Sequence, residues 1–272
     1  MIITMNSYSV TSKDNPKIKE AARLTSDASY RRKTGLFTLE GLRLISDAAG
    51  AGIRFTLLFV SSSAREKYDL SALYPQADEL ISLPDELFAK LSDTQSPQGI
   101  LAVAEQFATS PADVPLDIMG RYIALEHVAD PGNLGTVIRT AGALGLSGVI
   151  VSGGCDVFSP KTQRAAMGAV FRLPVIVVDS MPGFIAELRE KDFACLATTV
   201  GEGASDIGGY PFPENTGVVA VLGNEANGLT DACVAACDAK VTIPMADGAE
   251  SLNVAGAAAI ISYLMRQGKD ER

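Results

Sequence analysis

Six short apolar segments in the second half of the chain predict buried β-strands. They cover residues 122–125, 148–151, 174–178, 194–197, 218–222 and 241–243. Most are continuous apolar runs rather than alternating ones, which is the pattern of a parallel sheet covered on both faces. Strands and helices alternate regularly from Arg121 onward. The sequence therefore predicts an α/β fold with a parallel sheet in this part of the chain.

The first hundred residues predict a smaller α/β layer of alternating short strands and helices. Asn15 and Pro16 begin a helix over residues 17–24, and the polar, basic stretch 26–34 predicts an exposed loop. Further strands are predicted at 37–41, 55–60, 80–83 and 99–104, and further helices at 42–51 and 84–91.

A stretch rich in Ala, Thr, Ser, Pro and Asp separates the two halves. It runs from Phe107 to Asp117 and contains Pro111 and Pro115, a composition that is typical of linkers. We therefore predict a small domain at residues 7–105, a linker at 106–118 and a second domain at 119–272.

The bulk composition is that of a globular protein. With 272 residues, 47% of them hydrophobic and 20% charged, the chain has room for one or two domains, and wholesale disorder is disfavoured. No apolar run is long enough to span a bilayer, and the N-terminus lacks a basic region followed by an apolar one. We therefore expect no membrane partner and a cytoplasmic location.

The net charge of −9 argues against a nucleic-acid partner, but the distribution of charge permits one. Basic residues crowd the first stretch of the chain and allow a basic face on an acidic protein; they are Lys13, Lys17, Lys19, Arg23, Arg31, Arg32 and Lys33.

The four cysteines do not form a paired-ligand zinc pattern; they are Cys155, Cys195, Cys233 and Cys237. Cys233 and Cys237 are one helical turn apart, but the chain has only one histidine, so small core residues on a helix are the favoured interpretation. We expect reduced thiols and no metal site.

Polar residues that predict a ligand site lie at strand ends, just before helices. The strand at 218–222 runs into Gly223-Asn-Glu-Ala-Asn-Gly-Leu229, Pro244 stops the strand at 241–243, and Ser251-Leu-Asn253 begins a long helix of small residues. Such strand ends are where α/β proteins place their ligands.

A helix with two distinct faces follows the first strand of the second domain. Asp130 is a good N-cap, Pro131 suits the first helical position, and the face opposite the apolar stripe carries Asn133, Thr136, Arg139 and Thr140. An ordinary solvated helix and a functional face both fit this pattern. The chain lacks Gly-x-Gly-x-x-Gly and Gly-Lys-Ser/Thr motifs, which argues against a Rossmann dehydrogenase and an NTPase.

Three of these segments together resemble the ordered motifs of the SpoU (TrmH-type) RNA 2′-O-ribose methyltransferases, within the SPOUT superfamily. The matching residues are Asp130-Pro-Gly-Asn-Leu-Gly with Arg139, Leu222-Gly-Asn-Glu-Ala-Asn-Gly-Leu229, and Ile243-Pro-Met followed by Ser251-Leu-Asn-Val. The resemblance runs from about Tyr122 to the C-terminus. Residues 7–105 more loosely resemble the small RNA-binding substrate domain that often precedes this catalytic domain, through Asn15-Pro16-Lys17, Gly35-Leu-Phe37 and Glu40-Gly41.

The resemblance implies a parallel sheet with a C-terminal trefoil knot, a homodimer, and S-adenosyl-L-methionine as the methyl donor, with no metal. It implies that the cofactor rests on backbone around Gly223, Ile243 and Leu252, with Thr198 and Thr199 as further candidates. The catalytic candidates that it implies are Asn133, Arg139, Glu225, Ser251 and Asn253.

Arg139 is the residue that the resemblance assigns to the ribose hydroxyl. The implied reaction is an in-line attack of the ribose 2′-oxygen on a sulfonium methyl, which needs positioning and removal of a proton. Because a guanidinium normally stays protonated, two roles remain open for Arg139: activating the hydroxyl, or holding an RNA phosphate and stabilising the alkoxide. His127 as a general base is less favoured than a strand-end structural role.

The leading hypothesis is therefore 2′-O-methylation of a ribose in structured RNA, most of all ribosomal RNA. Two alternatives are a transfer RNA methyltransferase and an RNA-binding protein that has lost catalysis. Ala166 stands where relatives often carry serine, and nearby Arg164 is predicted to contact RNA or phosphate.

Overall fold

The computed structural model describes residues 6–200, 203–248 and 251–270, with side chains described as far as residue 266. The chain divides into two compact units. The first unit combines the residues up to Phe107 with Asp156–Phe171, and the second combines Ala108–Cys155 with the residues from Arg172 onward. The described helices include none that is long and apolar enough to cross a membrane.

The first unit is built on one mixed sheet. Its elements in chain order are β1 (Asn6–Ser9), α1 (Pro16–Ser26), α2 (Ala28–Thr34), β2 (Leu36–Glu40), α3 (Leu42–Gly50), β3 (Phe55–Ser61), α4 (Ser62–Lys67), β4 (Ala77–Leu83), α5 (Asp85–Phe88) and β5 (Ile100–Glu105). The sheet has the order β1-β4-β3-β5-β2; β4 is parallel to β1 and β3, and β5 is antiparallel to β3 and β2. The predicted α/β layer is confirmed, and the sequence reading had missed β1 and α4.

The prediction of an exposed loop at residues 26–34 is wrong, because most of this stretch forms α2. Asp27 caps the helix by accepting the Tyr30 N–H at 3.0 Å, and Gly35, with φ of 68°, ends it. Arg31 on this helix is only 4% exposed. Its guanidinium donates to the Leu24 carbonyl oxygen at 2.6 Å and forms an ion pair with Asp156 at 2.7 Å. A buried charge needs such partners, and a polar sequence alone did not reveal them.

The second unit is built on a parallel sheet. The remaining elements in chain order are β6 (Arg121–Glu126), α6 (Pro131–Ala143), β7 (Gly148–Ser152), α7 (Pro160–Ala166, in the first unit), β8 (Val175–Val178), α8 (Met181–Glu190), β9 (Ala194–Thr198), β10 (Ser205–Asp206), β11 (Val218–Leu222), α9 (Asp231–Ala236), β12 (Ala239–Thr242) and α10 (Val254–Asp270). In the described residues the sheet has seven strands in the order β10-β12-β9-β11-β6-β7-β8. Each pairing is parallel, as predicted.

Burial explains why these strands read as continuous apolar runs. Every residue of β7 and of β11 is buried, because helices cover the two faces of a parallel sheet. The central strands β9, β11 and β6 are neighbours, so their carboxyl ends meet at one edge. Thr198 ends β9, Glu126 ends β6, and Gly223 directly follows β11. The candidate site therefore lies at this edge of the sheet.

Candidate active site

A cleft of about 670 Å³ opens in the second unit beside the carboxyl ends of β9 and β11. Six of the predicted site residues line it: Thr198, Thr199, Gly223, Glu225, Ser251 and Leu252. Sequence reasoning missed Asp231, Val234 and Lys240, which also line it. Asp231 and Val234 lie on α9, and the short apolar pattern of that helix gave no signal of a ligand site.

Gly223 is required by a close approach of two backbone segments. A Cβ atom at this position would overlap the backbone of Gly228 and Leu229. The turn is closed by two hydrogen bonds, from the Asn224 N–H to the Gly228 oxygen at 3.0 Å and from the Gly228 N–H to the Asn224 oxygen at 2.8 Å. The glycine therefore lets the turn fold onto itself at the edge of the cleft.

The side chain of Asn224 fixes this turn to the end of β6. Its amide nitrogen donates to the His127 carbonyl oxygen at 2.8 Å, and its Oδ1 accepts the Ala226 N–H at 2.9 Å. His127 is exposed and has a left-handed backbone with φ of 55°. Its described hydrogen bonds with the site are made by its backbone, and its structural role stays a prediction.

Asn133, Glu225 and Asn253 form a continuous hydrogen-bonded network. The Asn133 amide donates to Glu225 Oε1 at 2.8 Å, and the Asn253 amide donates to Asn133 Oδ1 at 3.2 Å. These residues come from α6, the turn after β11 and the start of α10, so the network joins all three sequence motifs. The structure thus brings together residues that are 120 positions apart in the chain.

The network further stabilises the ionised form of Glu225. Partial desolvation acts to raise its pKa, but hydrogen bonds from the Asn133 side chain and from backbone N–H groups, including that of Ala129, outweigh it and leave the pKa lowered. The carboxylate is therefore an acceptor at neutral pH, and it can orient the Asn133 amide or accept a hydrogen bond from a ribose hydroxyl.

Four predicted site residues do not line the cleft: Asn133 and Asn253 connect to it through Glu225, whereas Arg139 and Ile243 do not. Arg139 is exposed on α6, and in the described part of the chain its guanidinium makes no hydrogen bond or ion pair. Ile243 directly follows β12, is half-buried, and does not line the cleft. Their assignments stay predictions. An unpaired guanidinium on the surface is available to bind a phosphate.

The cysteines and acidic residues offer no metal site among the described residues. All four cysteines are free thiols. Burial raises the pKa of Cys195 to about 12, and a hydrogen bond with Cys237 together with burial raises that of Cys233. Both thiols stay protonated at neutral pH and serve as small apolar core residues.

Much of the basic stretch near the N-terminus is neutralised by acidic partners. Lys17 pairs with Glu79, Lys19 with Asp14, Arg23 with Asp27 and Arg31 with Asp156. Arg164, the predicted RNA contact, forms a bidentate ion pair with Asp93, with N–O distances of 2.5 and 3.0 Å. The predicted basic face is therefore weaker than its charge count indicates.

Comparison with known proteins places these features in a family context. The sequence model of the SpoU rRNA Methylase family matches residues 120–263, and that of the MRM3-like substrate binding domain matches residues 15–102. The chain is 31% identical over 258 residues to the 23S rRNA (guanosine(2553)-2′-O)-methyltransferase RlmP of Bacillus subtilis, covering 94% of this chain and 98% of that protein.

Two further relatives cover nearly the same length. The 23S rRNA (uridine(2479)-2′-O)-methyltransferase of Streptomyces viridochromogenes is 33% identical over 260 residues, covering 92% of this chain and 88% of that protein. The crystal structure of the AdoMet-bound rRNA methyltransferase from Sinorhizobium meliloti superposes with a TM-score of 0.84 at 30% identity, covering 96% of this chain and 98% of that one.

Proposed function

Because this chain belongs to the SpoU rRNA methylase family, we propose that it transfers a methyl group from S-adenosyl-L-methionine to a ribose 2′-hydroxyl of ribosomal RNA. The observation that carries the proposal is the Asn133–Glu225–Asn253 network, which joins three sequence motifs beside the cleft. A pure RNA-binding protein has no need of such an arrangement.

The cleft fits the cofactor on three observations. Its volume of about 670 Å³ lies in the range of about 300–1,000 Å³ that is usual for small-molecule sites. Gly223 brings bare backbone to its edge. The hydroxyl of Thr198, which lines the cleft, is buried and has no hydrogen-bond partner among the described residues. Thr198, Gly223 and Leu252 are the residues that would hold the cofactor, which supplies a sulfonium-activated methyl group.

The acceptor side of the reaction is assigned to the network and to Arg139. Glu225 and Asn133 orient the ribose through its hydroxyl groups, and Ser251 and Asn253 stand beside them at the start of α10. Arg139 binds the neighbouring phosphate and stabilises the alkoxide that forms as the 2′-hydroxyl loses its proton to solvent. The exposed, unpaired state of its guanidinium supports this assignment.

Substitution of Arg139 tests the proposal directly. Arg139→Ala should lower methyl transfer to ribosomal RNA by at least about a hundredfold, while S-adenosyl-L-methionine still binds in calorimetry. Arg172→Ala, an exposed arginine of the same unit, is the matched control and should keep wild-type activity. Wild-type activity in Arg139→Ala contradicts the role of Arg139. A wild-type protein that binds RNA but neither binds nor uses the cofactor contradicts the enzyme assignment.

Ribosomal RNA is favoured over transfer RNA by the extent of the similarity. The two 23S rRNA methyltransferases match over 94% and 92% of this chain, including the first unit. Ribose methylation mapped by mass spectrometry, in cells with and without this gene, distinguishes the substrates. Loss of a 2′-O-methyl group from transfer RNA alone contradicts the choice of ribosomal RNA.

A homodimer, a trefoil knot and a cytoplasmic location are further parts of this proposal. Ile260 and Tyr263 on α10 are 40% and 51% exposed, and exposed apolar side chains on one helix favour a second copy as the partner. Light scattering should give twice the chain mass of 28.5 kDa. The double substitution Ile260→Asp and Tyr263→Asp should return the mass to that of one chain.

A further inference from the structure

The first unit contains a second cleft, which the proposed reaction does not use. It encloses about 350 Å³, at the small end of the range of ligand sites, so it suits one nucleotide rather than a folded partner. Apolar side chains and polar groups share its lining, as in most ligand sites. The lining residues that matter here are Glu40, Arg43, Leu44, Gln98, Arg164 and Met167.

Glu40 brings an unsatisfied acceptor to this cleft. The residue is only 8% exposed, and its Oε1 accepts hydrogen bonds from Ser92 at 2.5 Å and from Thr94 at 2.9 Å. Its Oε2 is buried and has no partner among the described residues. A buried carboxylate oxygen without a donor is costly, so this oxygen can accept a hydrogen bond from the donor of a ligand.

Gln98 is a weakly held side chain in the lining of the same cleft. Oε2 of Glu40 is enclosed, so a ligand reaches it only when a side chain at the rim moves. The Gln98 side chain is exposed and is held by one hydrogen bond, in which its Oε1 accepts the Leu42 N–H at 2.9 Å. A single exposed hydrogen bond is weak enough to exchange for one with a ligand.

Arg43 supplies the available positive charge. Arg164 is neutralised by its pairing with Asp93, whereas the exposed guanidinium of Arg43 makes no ion pair within the described residues. Asp47 lies one turn further along α3 and also lines the cleft without pairing with Arg43. A guanidinium can stack on a base or bind its phosphate.

We propose that this cleft binds a single nucleobase of the substrate RNA, whose exocyclic amino group donates to Glu40 while Arg43 binds the base face or the adjoining phosphate. The inference rests on the proposed function and specifies a contact by which the first unit recognises its RNA. Adenine, cytosine and guanine carry an exocyclic amino group and uracil does not. The cleft therefore discriminates against uracil.

Binding of the four nucleoside 5′-monophosphates to the full-length protein, measured by NMR titration, tests this inference. AMP, CMP or GMP should bind about tenfold more tightly than UMP. Arg43→Ala should weaken the preferred nucleotide about tenfold, and Glu40→Gln should abolish the discrimination against UMP. Arg65→Ala, an exposed arginine on α4 outside the cleft, is the matched control and should bind as the wild type does.

Equal affinity for all four nucleotides, or equal behaviour of Arg43→Ala and Arg65→Ala, overturns the inference. Arg43 is exposed, so its substitution gives a result even if Glu40→Gln fails to fold. In methylation assays Arg43→Ala should raise KM for ribosomal RNA about tenfold, and Arg65→Ala should not. Absence of methyl transfer by the wild type contradicts the proposed function, whereas normal transfer without nucleotide discrimination contradicts only the base-binding cleft.

Discussion

The buried carboxylate of Glu126 accepts both hydrogen-bond donors of Thr230, the backbone N–H at 2.8 Å and the hydroxyl at 2.9 Å. Glu126 ends β6, and Thr230 caps α9, where its hydroxyl accepts the Cys233 N–H at 3.2 Å. Because Asp231 and Val234 of α9 line the reaction cleft, this pair ties the central strand to one wall of the site.

Removing either partner should destabilise the protein, and the two effects should not add. We expect Thr230→Val to lower the free energy of unfolding by about 1–2 kcal/mol, through the lost cap and an unpaired oxygen, and Glu126→Ala by about 2–3 kcal/mol. The double variant should lose at least about 1 kcal/mol less than the sum. Urea denaturation measures all four proteins, and strict additivity would show that the pair is not coupled.

Gly223→Ala should disrupt the turn and with it the binding of the cofactor. The added methyl group meets the backbone of Gly228 and Leu229, and backbone cannot move aside as a side chain can. We expect calorimetric affinity for S-adenosyl-L-methionine to fall by at least about a hundredfold. Gly209→Ala, where the added methyl group points into open space, should bind normally. Equal affinity in the two variants contradicts the importance of this close approach.

Glu225 should contribute stability above its ordinary pKa and lose that contribution in acid. Despite its partial desolvation, hydrogen bonds from Asn133 and the backbone lower its pKa below the usual 4.5. The folded state therefore holds the carboxylate charged more strongly than the unfolded state does. Its contribution is complete above pH 4.5 and disappears as the pH falls through the lowered pKa.

Unfolding by urea at a series of pH values measures this effect. The difference in stability between the wild type and Glu225→Gln should shrink as the pH falls from 6 to 3. Asn133→Ala should move the Glu225 pKa back up, which carboxyl-carbon NMR can follow. A difference that grows in acid gives the wrong sign for the network.

Arg31 and Arg32 are neighbours in the sequence, but their replacement should affect different properties of the protein: stability for Arg31 and RNA affinity for Arg32. Arg31→Ala removes a donor from the partly exposed Asp156 carboxylate and from the Leu24 carbonyl oxygen, and should cost about 2–3 kcal/mol of stability. Arg32 is exposed, so Arg32→Ala should leave the melting temperature unchanged and lower RNA affinity in a salt-dependent way. Differential scanning fluorimetry and filter binding distinguish these outcomes; similar melting temperatures contradict the buried role of Arg31.

The cysteines should differ in reactivity according to burial. Burial raises the pKa of Cys195 to about 12, and Cys233 is also buried with a raised pKa, so both lack reactive thiolate at pH 8. Iodoacetamide should label Cys155 and Cys237, which are partly exposed, before the other two. Mass spectrometry of the native protein checks the order, and early labelling of Cys195 contradicts it.

The sequence predicted the fold well where information is local. The apolar run at 218–222 became β11 without change, and Asp130 and Pro131 cap and begin α6 as expected. The burial of Arg31 was not predicted because its carboxylate partner lies 125 residues away, and β10 was not predicted because two residues carry no periodicity. In the site, the motifs named Asn133, Glu225 and Asn253, but their hydrogen bonds exist only once the three segments meet.

Because the first unit is made of two separate chain segments, it can be completed only late in its own synthesis. Asp156–Phe171 completes that unit, and the buried guanidinium of Arg31 has its carboxylate partner in Asp156. A ribosome adds about 5–20 residues per second, so several seconds separate the emergence of Arg31 from that of Asp156. The first unit therefore cannot be completed until β6, α6 and β7 of the second unit have also been translated, and until then the Arg31 guanidinium stays hydrated.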